Sequence, residues 1–191
     1  VFLPNDPHTP GILQEKKLEH LEIDEIPAKP VVYNALELPA TVNAASKLKA
    51  ETERIHALKQ MSLYEIGKAL GFRTYVAKND AGIKYKGIPL ADHPQIVKNL
   101  SDEVMVSPYD GAVNAGKLID VIWFTKRNIP AVIEIEHSTG VTSGLTRMKG
   151  FKDSLPEYGK MRFIIVADDG LRDKVVQEIN RPQFAELRAK Y

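Results

Sequence analysis

The 191-residue chain has room for one core of ordinary size with an appendage, and 43% apolar residues is normal for a globular domain. Lys and Arg number 26 against 25 Asp and Glu, a net charge of +1, so a polyanion has to be met by local basic patches rather than by the field of the whole molecule. Cys is absent, which excludes disulfides and thiolate metal sites and fits a cytoplasmic protein; no apolar run reaches the roughly 18 residues that span a bilayer, so no membrane partner is expected.

The chain begins at Val1 without Met or a secretory signal, which suggests a piece of something longer, with an additional domain upstream. Residues 1–45 hold Pro4, Pro7, Pro10, Pro27, Pro30 and Pro39, six of the twelve prolines, and read as an arm or linker. Within it Ile12 to Ile26 suits a short charged helix, ended by Pro27 and Pro30. Residues 46–191 form the folded domain. From about Ala44, KLKAETERIHALKQMSLYEIGKALG places Ile55, Leu58, Leu63, Ile66 and Leu70 near helical spacing with Gly71 as terminator, predicting a long helix with one buried stripe. FRTYVAKND alternates and favours a strand. Ala81 to Gly116 is loop-rich, with a short helix expected around Gln95 to Leu100. Two strands follow, then a helix from about Val141 to Leu155, the strand MRFIIVAD, and a helix from Gly170 to Asn180 closed by Pro182. The order α-β-β-β-α-β-α predicts an α/β fold, a mixed central sheet flanked by helices.

The most informative stretch is Leu118 to Gly150, LIDVIWFTKRNIPAVIEIEHSTGVTSGLTRMKG. Asp120 stands inside one apolar run, and Glu134 and Glu136 inside the next. A Lys-Arg-Asn turn and a Gly-bearing segment of helical period bound these runs, the pattern of two buried strands feeding a helix. Glu134 and Glu136 alternate with Ile133 and Ile135, so period two sends both to one strand face. Unpaired buried carboxylates are costly and take a metal, a cation or a proton, so three converging acids form a candidate metal site. The bland alternative is a solvated strand edge paired with Lys126 or Arg127. Trp123, between Ile122 and Phe124, reads as core, while Asp168 and Asp169 read as the cap of the next helix.

An acid in one strand, a hairpin, then an acid-x-acid pair at the end of the next strand resembles the PD-(D/E)XK nuclease superfamily. EIEHSTGVTSGLTRMKGF is similar to a bacterial restriction-endonuclease-like group within it, whose members carry E-x-E-H-S-T and then a helix with S-G-L-x-R-M. The resemblance extends from about Lys49 to about Phe184. It implies a restriction-endonuclease-like core, α-β-β-β-α-β, with Asp120, Glu134 and Glu136 at the three motif positions and the first two holding Mg²⁺. Ile119 replaces the Pro of the name, and Glu136 replaces the usual Lys, which leaves the proton acceptor unassigned. The resemblance also implies an acid on the first helix reaching the metal. Of Glu51, Glu53 and Glu65, the choice is Glu53, at i, i+3 from His56, with a solvated helix face as its alternative.

Phosphodiester hydrolysis needs a nucleophilic water, a stabilised pentacovalent phosphorus and a neutralised leaving oxyanion. A hard divalent ion held by two or three oxygens serves all three, and carboxylates suit Mg²⁺, with Mn²⁺ as substitute. The expected activity is therefore a metal-dependent DNA endonuclease of restriction (type II-like) character. Asp120 and Glu134 are its ligands beside the Ile135 carbonyl, and Glu136 orients or deprotonates the water or holds a second ion. Arg147 supplies positive charge at the scissile phosphate, with Lys149 and Lys152 on the backbone nearby. Lys78, Lys84 and Lys86, interleaved with Tyr75 and Tyr85, are a further DNA-binding surface or a mere solubilising one. His137 alternates to the opposite strand face and reads as structural. One site per chain predicts a homodimer on duplex DNA. Two rivals stand beside this reading: a non-catalytic DNA-binding or assembly module on the same fold, and a repair or branched-DNA nuclease.

Overall fold

The computed structural model describes residues 44–77, 82–137, 140–156 and 161–191, with side chains from 48 onward. The expected arm, and with it the helix over Ile12 to Ile26, lies outside the described residues except where the first helix starts.

That helix, α1, is Ala44–Ala69, and Gly71 follows it at φ +76, the left-handed conformation that glycine adopts at no steric cost. Its buried stripe is not the expected one. Ala57, Gln60, Met61, Leu63, Tyr64 and Gly67 are buried, whereas Ile66 and Leu70 are 49% and 58% exposed. Close approach explains the choice: a Cβ at Gly67 would lie 2.6 Å from Trp123 Nε1 and 2.8 Å from Thr74 Oγ1. Gln60 is accommodated because its Nε2 donates to the Asp120 carbonyl at 3.4 Å.

In chain order follow β1 (Arg73–Val76), a ribbon of β2 (Lys84–Tyr85) and β3 (Ile88–Pro89), β4 (Ile96–Val97) and helix α2 (Asp110–Gly116). Then come β5 (Val121–Phe124), β6 (Ala131–Glu136), α3 (Val141–Asp153), β7 (Arg162–Ala167) and α4 (Arg172–Ile179). One sheet runs β4-β1-β5-β6-β7. Its β1/β5 and β5/β6 pairs are antiparallel and its β1/β4 and β6/β7 pairs parallel, so it is mixed, as expected. Thr125 N–H donates to the Asn128 carbonyl at 2.9 Å and closes the hairpin at the anticipated turn.

Both faces are covered. Ala57, Met61 and Tyr64 of α1 pack with Val76, Val121, Trp123, Ile133 and Ile135, which makes Trp123 core as read from the sequence. On the other face Tyr75, Ile122, Phe124, Val132 and Phe163 meet α3 through Leu145, Met148 and Phe151. Strands buried on two faces are continuous apolar runs, and this is why VIWF does not alternate.

Two expectations fail between β1 and β5. The helix expected around Gln95 to Leu100 is absent: Ile96 and Val97 pair with Thr74 and Tyr75 as the sheet's edge, after Pro94 and a Gln95 held at φ +65, and only a 3₁₀ turn over Leu100–Asp102 follows. Helix α2 was not anticipated because DGAVNAG is a poor helix former. Packing decides it, since a Cβ at Gly116 would lie 2.6 Å from Leu100 and 2.9 Å from Phe151. The last expected helix is also divided, a 3₁₀ turn over Asp169–Leu171 preceding α4 and another opening at Pro182. Among the described residues no helix is long and apolar enough to cross a membrane.

Candidate active site

Ile133 and Ile135 pack towards α1, so the alternating Glu134 and Glu136 face α3, sharing one strand face as the spacing required. Asp120 immediately precedes β5, where its carboxylate lies close enough to Glu134 to disfavour that group's ionisation. All three acids are buried, at 9% exposure for Asp120, 0% for Glu134 and 6% for Glu136. A solvated strand edge paired with Lys126 or Arg127 is thereby excluded.

Each acid is held differently. Asp120 Oδ2 accepts the Ile135 N–H at 2.7 Å, and Oδ1 lies 3.4 Å from His56 Nε2. Glu134 is gripped by Arg147 of α3, with Nε 2.9 Å from Oε1 and Nη2 2.5 Å from Oε2. Glu136 lies in a cradle made by two glycines. A Cβ on Gly140 would sit 2.6 Å from Glu136 Oε2, and one on Gly144 would sit 2.8 Å from Oε1 and 3.3 Å from Glu134 Cβ. The start of α3 is thus bare of side chains where the Glu136 carboxylate and the Glu134 stem approach it, and its N-terminal partial charge favours an anion there.

Burial pushes the Glu134 carboxyl up to about 8, with the charge of Asp120 adding to the rise and Arg147 opposing it. Burial raises Glu136 as well, again against the pull of Arg147. The hydrogen bond to Glu134 in turn raises Arg147. Three carboxylates thus share a poorly solvated place with Arg147, with His56 and Lys174 acting on Glu136 as well, and their oxygens are the donor type that suits a hard divalent cation. The two glycines are what let the Glu136 carboxylate pack directly on the backbone at the start of α3. As the side chains stand, no three His, Asp or Glu among the described residues close into a ready-made metal cage.

The remaining expected residues separate. Glu53 is exposed, its carboxylate 3.9 Å from Lys49, while its neighbour His56 points to Asp120. His137 follows the end of β6, and its ring lies 5.4 Å from that of His56 on α1. Asp168 opens the 3₁₀ turn, but its side chain caps nothing there and pairs with Lys59 at 2.7 Å. Lys149 pairs with Asp153 at 2.8 Å and Glu186 at 2.6 Å, and Lys152 lies 3.4 Å from Glu186. Lys86 bonds Glu65 at 2.6 Å, Lys84 is exposed, and Lys78 lies outside the described residues. Tyr75 and Tyr85 are buried, so neither offers a ring face to a base.

Sequence reasoning missed three contributors: His56 as a partner of Asp120, Gln60 beneath the Asp120 carbonyl, and the glycine pair. His56 and Gln60 stand at i, i+4 and so share a helix face, and Gly140 and Gly144 at the same spacing signalled a bulky neighbour.

The profile of the family described as "Type II restriction enzyme NmeDI C-terminal domain" matches residues 37–191. The type II restriction enzyme NmeDI of Neisseria meningitidis serogroup C is 46% identical over 192 residues, a match covering 100% of this chain and 54% of that protein. The chain thus spans about half the length of the curated relative it matches. No solved structure matches.

Proposed function

The chain belongs to the family of the type II restriction enzyme NmeDI C-terminal domain, and from this we propose that it is the cleavage domain of a restriction-type DNA endonuclease, a metal-dependent phosphodiester hydrolase of the PD-(D/E)XK superfamily. The observation that carries the reading is that Asp120, Glu134 and Glu136 are all buried and lie near enough for the charge of Asp120 to act on both glutamates. Asp120 and Glu134 would hold Mg²⁺, or Mn²⁺ in its place. Such an ion, when bound, makes water nucleophilic near neutral pH and neutralises charge on the phosphate and the leaving oxygen.

The chain's own groups do the rest. The Ile135 amide and His56 orient Asp120. Glu136, placed by Gly140 and Gly144, orients the attacking water and accepts its proton, for which its raised proton affinity suits it. Arg147 meets the scissile phosphate, and Lys78, Lys84, Lys86, Lys149 and Lys152 contact the DNA backbone. Glu53, exposed beside Lys49, is left out of the proposed ligand set. A homodimer, an upstream domain and a cytoplasmic setting belong to the same proposal.

Cleavage of supercoiled plasmid and genomic DNA with Mg²⁺, Mn²⁺ or EDTA tests it, alongside Asp120→Ala and Glu134→Ala. The expected result is metal-dependent cutting into discrete bands, reduced at least ~10²-fold in both variants. DNA binding with no cutting under any metal would replace this reading with the non-catalytic module. Preference for flapped or four-way substrates over plasmid would make it a repair nuclease.

A further inference from the structure

Arg147 engages Glu134 through Nε at 2.9 Å and Nη2 at 2.5 Å, so its planar fork takes both carboxylate oxygens at once. Glu134 has no solvent-exposed surface through which a second cation could share it. A divalent ion at the same oxygens would stand beside the guanidinium in a medium where charges are weakly screened, and that juxtaposition is repulsive. We propose that Arg147 is a latch on the metal site: in the free chain it closes Glu134, and a DNA phosphate draws it away, so that DNA and the divalent cation bind cooperatively. This rests on the reading of the three acids as a metal centre.

Three features make the latch movable. The Arg147 side chain is 31% exposed, so its outer edge already reaches solvent. Side chains on a helix lean towards its N-terminus, and the residue one turn back in that direction is Gly144, which puts no side chain in the way. A phosphate offers the guanidinium the same two-oxygen geometry as a carboxylate, so the exchange costs no hydrogen bonds. Linkage then requires reciprocity: DNA that removes the latch tightens metal binding, and metal tightens DNA binding by the same factor.

The test is Mn²⁺ affinity, read by electron paramagnetic resonance at about pH 8.5 with and without sheared genomic DNA, on wild type, Arg147→Gln, Arg147→Lys and Asp120→Ala. Melting curves verify that each variant folds. Arg147→Gln should bind Mn²⁺ about tenfold tighter than wild type without DNA. Arg147→Lys, which keeps the charge and loses the fork, should fall between them. DNA should tighten Mn²⁺ binding by wild type and leave Arg147→Gln unchanged. Equal or weaker Mn²⁺ binding by Arg147→Gln and Arg147→Lys overturns the latch, as does a wild type indifferent to DNA. If Asp120→Ala binds Mn²⁺ as wild type does, the metal-centre reading itself fails, and the latch with it.

Discussion

At Glu134 two demands oppose each other, because burial favours the neutral acid while Arg147 and the proposed metal favour the anion. Burial raises its carboxyl from the ordinary 4.5 to about 8. The folded chain keeps this proton to higher pH than the unfolded chain does. Its contribution to stability is therefore full below the ordinary carboxylate range and lost as pH rises through about 8. In EDTA, the melting temperature of wild type should fall between about pH 5 and pH 8.5 relative to Glu134→Gln, a loss on the order of a few kcal/mol. Parallel curves for the two proteins would refute the linkage. The residue types and their shared face were legible in the sequence, since alternation with Ile133 and Ile135 is local. Their partners were not, because Arg147 and His56 arrive from two different helices.

Helix α1 illustrates how composition misleads at the level of an element. Its apolar residues nominated Ile66 and Leu70 for the interior, yet the helix buries a mixed face of Ala57, Gln60, Met61, Leu63, Tyr64 and Gly67. At Gly67 the close approach of Trp123 and Thr74 sets that choice, while Met61 and Tyr64 in the preceding turns supply apolar bulk beside Val76 and Val121. Gly67→Ala should destabilise the fold by about 1–3 kcal/mol through overpacking. Ile66→Ser, on the exposed side, should change stability by no more than about 0.5 kcal/mol. Urea unfolding midpoints measure both, and the reverse ranking would restore the stripe read from spacing. Helix α3 was easier to place because its motif, its glycines and its apolar spacing agree.

Across the whole molecule the net charge of +1 leaves little long-range attraction for DNA, and several lysines considered for contact are already paired with acids. If these lysines contact DNA as proposed, binding exchanges those ion pairs for phosphates and should depend on salt. On the proposed reading, one acidic centre per chain predicts that two copies act on the two strands of a duplex. Sedimentation with DNA should give a species holding two chains; a single chain per duplex at cutting concentrations would remove the homodimer from the proposal.

The sequence by itself determined the hairpin of β5 and β6, the common face of Glu134 and Glu136, and the helix and strand that follow. Period-two and helical spacing are written in neighbouring residues, and burying an acid in an apolar run leaves a visible mark. Only the tertiary structure decided that Ile96 and Val97 close the sheet's edge, that α1 buries Gly67 rather than Ile66, and that Arg147 rests on Glu134. Each depends on atoms brought together from separate elements, where packing distance and charge select the partner and no local pattern records the choice.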